Sequence, residues 1–224
     1  MIDELIEQLR AHANPANVAG MARYGISTKG TLGVPVYVLR KIARQAGRDH
    51  ALAEELWNSG IHEARILATL VDDPAQVTAR QMNRWVRDLD SWDVCDAACH
   101  NLFRYTPLAF AKATQWARAR PEFVRRAGFS IMAGLAVKDK KATDAQFAAF
   151  LPLIAEAAGD DRNMVKKAVN WALRQIGKRN RRLHGMALAA AEEIRRQDSR
   201  SARWIAADAL RELRNPATIA RIGE

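Results

Sequence analysis

Apolar residues recur every three or four positions along nearly the whole chain, the period of helices that bury one stripe. No stretch alternates as a half-buried strand does. Leu5, Ile6 and Leu9 mark a first helix over about residues 2–13, and a second, short helix ends near Tyr24-Gly25. Ser27 to Pro35 is rich in Gly and Thr and reads as a loop. Pro35 suits the first turn of a helix that carries Val38, Leu39 and Ile42 and stops at Gly47. Asp49 can cap a helix through Trp57, and Gly60 breaks it. Ile61 to Val71 follows, with Ile66, Leu67 and Leu70 inward. Asp72-Asp73-Pro74 is a turn, and Thr78 can cap a helix through Val86. The pattern then predicts helices from Trp92 to about Tyr105, Pro107 to Trp116 and Pro121 to Val137. After these come Asp144 to Ala157, Asp161 to Ile176, Leu183 to Arg195 and Ala202 to Leu213.

These helices are short and separated by turns that suit antiparallel neighbours. Segments of similar character recur: His62-Glu63-Ala64-Arg65-Ile66-Leu67-Ala68, Arg125-Arg126-Ala127-Gly128-Phe129, Lys166 to Arg174, and Ala202-Arg203-Trp204-Ile205-Ala206. Each sets basic residues beside an Ala-rich apolar stripe. The expectation is an all-α, HEAT-like α-solenoid, a superhelix of antiparallel helix pairs with a concave basic face, forming one domain over residues 1–224.

Charge sharpens the picture. The chain holds 35 Lys+Arg against 25 Asp+Glu, a formal net charge of +10, which favours a polyanionic partner. Cys95 and Cys99, four apart on one helix, have poor disulfide geometry and read as small buried side chains in a reducing cytoplasm. The acidic, amphipathic start is unlike a signal peptide, and no apolar run approaches a membrane span. The five histidines show no metal-ligand spacing, no Gly-rich phosphate loop follows a strand, and no nucleophile elbow is present. No metal and no cofactor are expected.

The candidate chemistry centres on Ser91-Trp92-Asp93-Val94-Cys95-Asp96. Trp92 and Asp96, one helical turn apart, share a face that His100 extends. An indole beside a fixed anion suits a target carrying a local positive charge. Asp93, in the first turn, can offset the helix dipole. Trp171 stands at the edge of a buried stripe, with Lys167, Arg174 and Lys178 just beyond it. The turn that follows supplies Lys178, Arg179, Arg181 and Arg182, a candidate phosphate clamp. Arg126 points away from Val124, Ala127, Ile131 and Leu135, towards phosphate or Asp96; periodicity does not separate it from Arg125.

Taken together, the Trp92 motif, Phe123-Val124-Arg125-Arg126-Ala127 and Lys166-Lys167-Ala168-Val169-Asn170-Trp171-Ala172-Leu173-Arg174 resemble the AlkD-like family of alkylpurine DNA glycosylases over most of the chain. The resemblance implies a HEAT-like solenoid that excises N3- and N7-alkylated purines and leaves an abasic site. It places the catalytic carboxylate at Asp96, the lesion-facing indoles at Trp92 and Trp171, the functional arginine at Arg126 and a lesion-proximal tyrosine at Tyr24. Its implied partner is double-stranded DNA containing alkylated purines, bound by a cytoplasmic monomer without metal or membrane. The alternative is a non-catalytic HEAT-repeat nucleic-acid-binding or adaptor protein, which needs the basic face but not Asp96.

Overall fold

The structure, a computed structural model, describes residues 2–223, and every regular element among them is helical. The backbone clusters into two compact units, Met1–Thr106 and Pro107–Glu224.

The first unit contains α1 (Ile2–Ala11), α2 (Pro15–Ala22), α3 (Val36–Ala46), α4 (His50–Asn58), α5 (His62–Val71), α6 (Ala79–Arg87) and α7 (Trp92–Ala97). The caps follow from the sequence: Asp49 accepts from the Leu52 amide at 3.0 Å and Thr78 from Gln81 at 3.1 Å. Helix α5 packs against α3, α4 and α7 and is buried along most of its circumference. Leu70 departs from the expected inward stripe: it is only partly covered and faces a groove beside α3. Trp57 and Trp85 stack at 4.1 Å between ring centres, with Phe103 tilted against Trp85.

The expected continuous helix from Trp92 to Tyr105 is three pieces. After α7 the backbone widens into a π segment, Ala98–Leu102, and tightens into a 3₁₀ turn, Phe103–Tyr105. Such π segments are rare and concentrate at functional sites.

The second unit contains α8 (Ala109–Ala117), α9 (Glu122–Lys138), α10 (Asp144–Ala148), α11 (Leu151–Ala157), α12 (Asn163–Gly177), α13 (Arg181–Arg195), α14 (Arg200–Leu213) and α15 (Pro216–Ile219). The helix expected from Asp144 to Ala157 is interrupted between α10 and α11. Pro152 has no N–H to offer Ala148, so it opens α11 instead. Helix α12 packs on α9, α13 and α14. Helices α8 and α9 approach at backbone range: a Cβ on Gly128 would lie 2.5 Å from the Ala117 nitrogen. The four recurring segments fall on α5, α9, α12 and α14.

Candidate functional site

In the first unit, the candidate residues hang on a buried polar network that enters at α5. Glu63 is 1% exposed, and its carboxylate accepts from the backbone amides of Leu32, Gly33 and Val34 at 2.8, 2.6 and 3.2 Å. This pins the loop between α2 and α3 onto α5. The loop also reaches α7: the Ser27 amide donates to Ser91 Oγ at 3.2 Å, and Ser27 Oγ donates to Asp90 at 3.0 Å.

Ser91 is fully buried and donates from Oγ to Asp93 at 2.6 Å rather than capping α7. The other Asp93 oxygen lies 2.7 Å from His62 Nε2. Burial works against charge on both partners and is the largest influence on each. It is outweighed on His62 by the hydrogen bond and charge of Asp93, helped by Glu63 and Asp90, so the imidazole is held above its ordinary value. On Asp93, His62 and Ser91 prevail over burial and hold the carboxyl below its ordinary value. Asp93 is thus committed to the scaffold.

Trp92 and Asp96 lie along the border of the α7 stripe formed by the buried Val94, Cys95, Ala98 and Cys99. Both are half-buried. The Trp92 indole N–H donates to the Tyr24 carbonyl at 3.0 Å, which favours one orientation of the ring. Tyr24 itself is 75% exposed beside it. His100 lies on the same side, in the π segment.

In the second unit, Met164, Lys167, Trp171 and Arg174 share one arc of α12 that Lys178 extends at the C-cap; Lys167 is exposed and the others are half-buried. Trp57, Trp85 and Trp116 are core residues, and Trp204 lies under Lys166, whose Nζ is 5.0 Å from the ring centre. Trp171, like Trp92, is half-buried at the border of a helix face. With the Gln175 amide oriented to satisfy its neighbours, its oxygen accepts from Trp171 Nε1 at 3.1 Å and Lys178 Nζ at 3.3 Å.

The basic residues divide by partner. Arg174 bonds Glu212, and Lys178 reaches the same carboxylate at 2.5 Å. Burial of Glu212 favours its neutral form, but these two cations overcome that and hold the carboxyl below its ordinary value. Arg179 donates to the carbonyls of Ala136 and Ala142, each at 3.0 Å, and lies over Phe147. Lys167, Arg181 and Arg182 are exposed. Arg181 and Arg182 sit in the first turn of α13, where the helix dipole disfavours cations, so helix stability does not explain them.

Arg126, expected to reach outward, is 5% exposed and donates to the Met164 carbonyl at 2.8 Å, at the foot of the Trp171 arc. Its neighbour Arg125 binds the Ala117 carbonyl and Asp160, each at 3.0 Å, joining α8, α9 and the start of α12. Geometry thus separates the pair that periodicity left together. The buried acceptor Glu63, the Ser27–Asp90 tether and the His62–Asp93 pair carried no sequence signal, because their partners lie about thirty or more residues away.

Among the described residues no cluster of three His, Cys, Asp or Glu could hold a metal, and no helix is long and apolar enough to cross a membrane. The sequence matches the family described as DNA alkylation repair enzyme over residues 5–220.

The chain belongs to the DNA alkylation repair enzyme family.

No curated protein matches the sequence. One solved structure represents a new family of proteins related to the HEAT-like repeat DNA glycosylases, with affinity for branched DNA structures. It superposes with a TM-score of 0.77 at 19% identity, covering 94% of each chain. That likeness gives this member of the DNA alkylation repair family a HEAT-like helical-repeat fold. A designed armadillo repeat protein bound to the peptide (KR)4 reaches a TM-score of 0.38 at 14% identity, over 82% of this chain and 78% of that one.

Proposed function

We propose that this member of the DNA alkylation repair family is a DNA glycosylase that excises cationic N3- or N7-alkylated purines from duplex DNA. The observation that carries the reading is the placement of Asp96 on α7: half-buried, one turn from Trp92, whose indole N–H is bonded to the Tyr24 carbonyl.

An alkylated purine already carries positive charge, so it departs without a strong general acid. As the C1′–N bond breaks, its electron pair goes to the purine and cancels that charge, while positive charge develops on the deoxyribose. The Asp96 carboxylate stabilises this oxocarbenium-like sugar and positions the water whose oxygen bonds to C1′. The water's proton is released, leaving an abasic site and a neutral purine. By the family resemblance, Trp92 and Trp171 are each proposed to offer a ring face to DNA, each contributing roughly 0.5–2 kcal/mol. Tyr24, Lys167, Arg181 and Arg182 are proposed to contact DNA directly. Arg126 and Arg179 support that contact through the backbone they hold in place, and Arg174 and Lys178 join it to the extent that phosphate displaces them from Glu212.

The test is release of free 7-methylguanine from methylated duplex. Wild-type protein is expected to release it. Asp96→Asn is expected to slow release by about a hundredfold or more with duplex affinity within about twofold. Equal rates for the two proteins would remove Asp96 from the mechanism. The second reading, a DNA binder without excision, is favoured by the branched-DNA affinity of the structural relative. Binding of branched DNA with no purine released by wild-type protein would establish it instead.

A further inference from the structure

The geometry points to a second, lesion-independent DNA contact on α3, where Arg40, Arg44 and Arg48 grip the phosphates of one strand of a duplex. It rests on DNA being the partner, but not on excision.

Leu39 and Ile42 bury one side of α3, and the opposite arc presents Tyr37, Arg40, Lys41 and Arg44, with Arg48 just past the Gly47 cap. All five are exposed, Tyr37 by 74%. Helix α3 contains no carboxylate. Among the described residues Arg40, Lys41 and Arg44 pair with no acid. Arg48 meets Asp73 only at 3.9 Å, with 70% of its side chain exposed. The contrast with Arg174 and Lys178, both engaged by Glu212, is direct. The helix dipole accounts for Arg44, in the last turn, but not for Arg40 or Lys41.

The three arginines also rim a built feature. A groove of about 380 Å³ runs between the C-terminal half of α3 and Leu70 on α5, with Ala43 and Leu70 as its apolar floor and Arg40, Arg44 and Arg48 at its edge. Arg40 and Arg44 are one turn apart, about 6 Å along the axis, close to the separation of successive phosphates on one strand. Planar guanidinium groups suit phosphate oxygens better than point charges do. The apolar floor accepts deoxyribose edges, and Tyr37 flanks the run. A polyanion of regular charge spacing is therefore the occupant that fits.

The experiment measures affinity of the full chain for a short undamaged duplex across a salt series. Replacing Arg40, Arg44 and Arg48 together by Gln is expected to weaken binding by about tenfold or more at roughly 0.1 M salt. The logarithmic salt slope should fall by up to about 2.7, at ~0.9 per lost phosphate contact. The three positions are exposed, so circular dichroism should be unchanged; should the triple variant not fold, Arg44→Gln alone is expected to remove about 0.9 of slope. Replacement of all three by Lys should retain most of the slope. Unaltered duplex affinity and slope in the Gln variants would overturn the assignment. So would unaltered duplex binding with lost sedimentation on phosphatidylserine vesicles, which would assign the stripe to a lipid surface. Methylguanine release at saturating protein should persist in the Gln variants. A protein that releases no purine yet loses duplex affinity here keeps the α3 contact and discards only the glycosylase reading.

Discussion

Trp92 donates its indole N–H to the backbone carbonyl of Tyr24, 68 residues earlier in the chain, at 3.0 Å. The bond favours one orientation of the ring and ties the turn after α2 to α7.

Replacing Trp92 with Phe keeps an aromatic face and removes that donor. A lost hydrogen bond of this kind costs about 1 kcal/mol, here spent on the order of one segment. Trypsin is expected to cut the bond after Arg23 several-fold faster in Trp92→Phe. Purine release is expected to slow more than duplex affinity falls. Equal cleavage rates in the two proteins would mean that the tether does not order the turn.

The His62–Asp93 pair sets a pH window for stability. His62 titrates above its ordinary 6.5, so its contribution is complete below that value and is lost as pH rises through the raised one. Asp93 titrates below its ordinary 3.8, so its contribution is complete above that value and is lost as pH falls through the lowered one. Asp93→Asn is therefore expected to destabilise most between about pH 4 and 6.5, by roughly 3 kcal/mol, because it strands a buried imidazolium. The gap to wild type should narrow at pH 9 in urea titrations. A gap that widens there would show that the pair is not ionised.

Glu212 holds two cations of the Trp171 arc. Its carboxyl is depressed, so its contribution is present above the usual carboxylate range and fades as pH falls through the lowered value. Glu212→Gln is expected to lower thermal stability at pH 7, with the difference closing in acid. It also releases Lys178 to meet phosphate and leaves Arg174 only its longer, 3.6 Å contact with Asp208. Duplex affinity should rise several-fold, with a salt slope steeper by up to about 1.8. Unchanged affinity would show that these two residues serve only to join α12 to α14.

Periodicity placed Trp92 and Trp171 at the edge of a helix stripe, and both are half-buried there; it did not show that Trp57, Trp85 and Trp116 lie in the core. It also found the caps at Asp49 and Thr78, because capping is local. It gave direction but not reach for cations. Arg179 reads as part of a basic turn, yet its guanidinium turns back onto two carbonyls some forty residues earlier. The same limit hid Glu63, whose acceptors' partners are amides of a loop that looks featureless in one dimension. The split between α10 and α11 was readable from Pro152, which an apolar stripe across it outweighed.

The π segment after Asp96 seats five residues in a turn wider than an α-helix would give them, and only then delivers Phe103 to the Trp85 stack. Because such a turn takes up one residue more than an α-turn over about the same rotation, a single-codon deletion within 98–102 would restore ordinary winding and leave Phe103 near its present place. A homologue one residue shorter there should keep the Trp85 stack and lose only the widened turn beside Asp96.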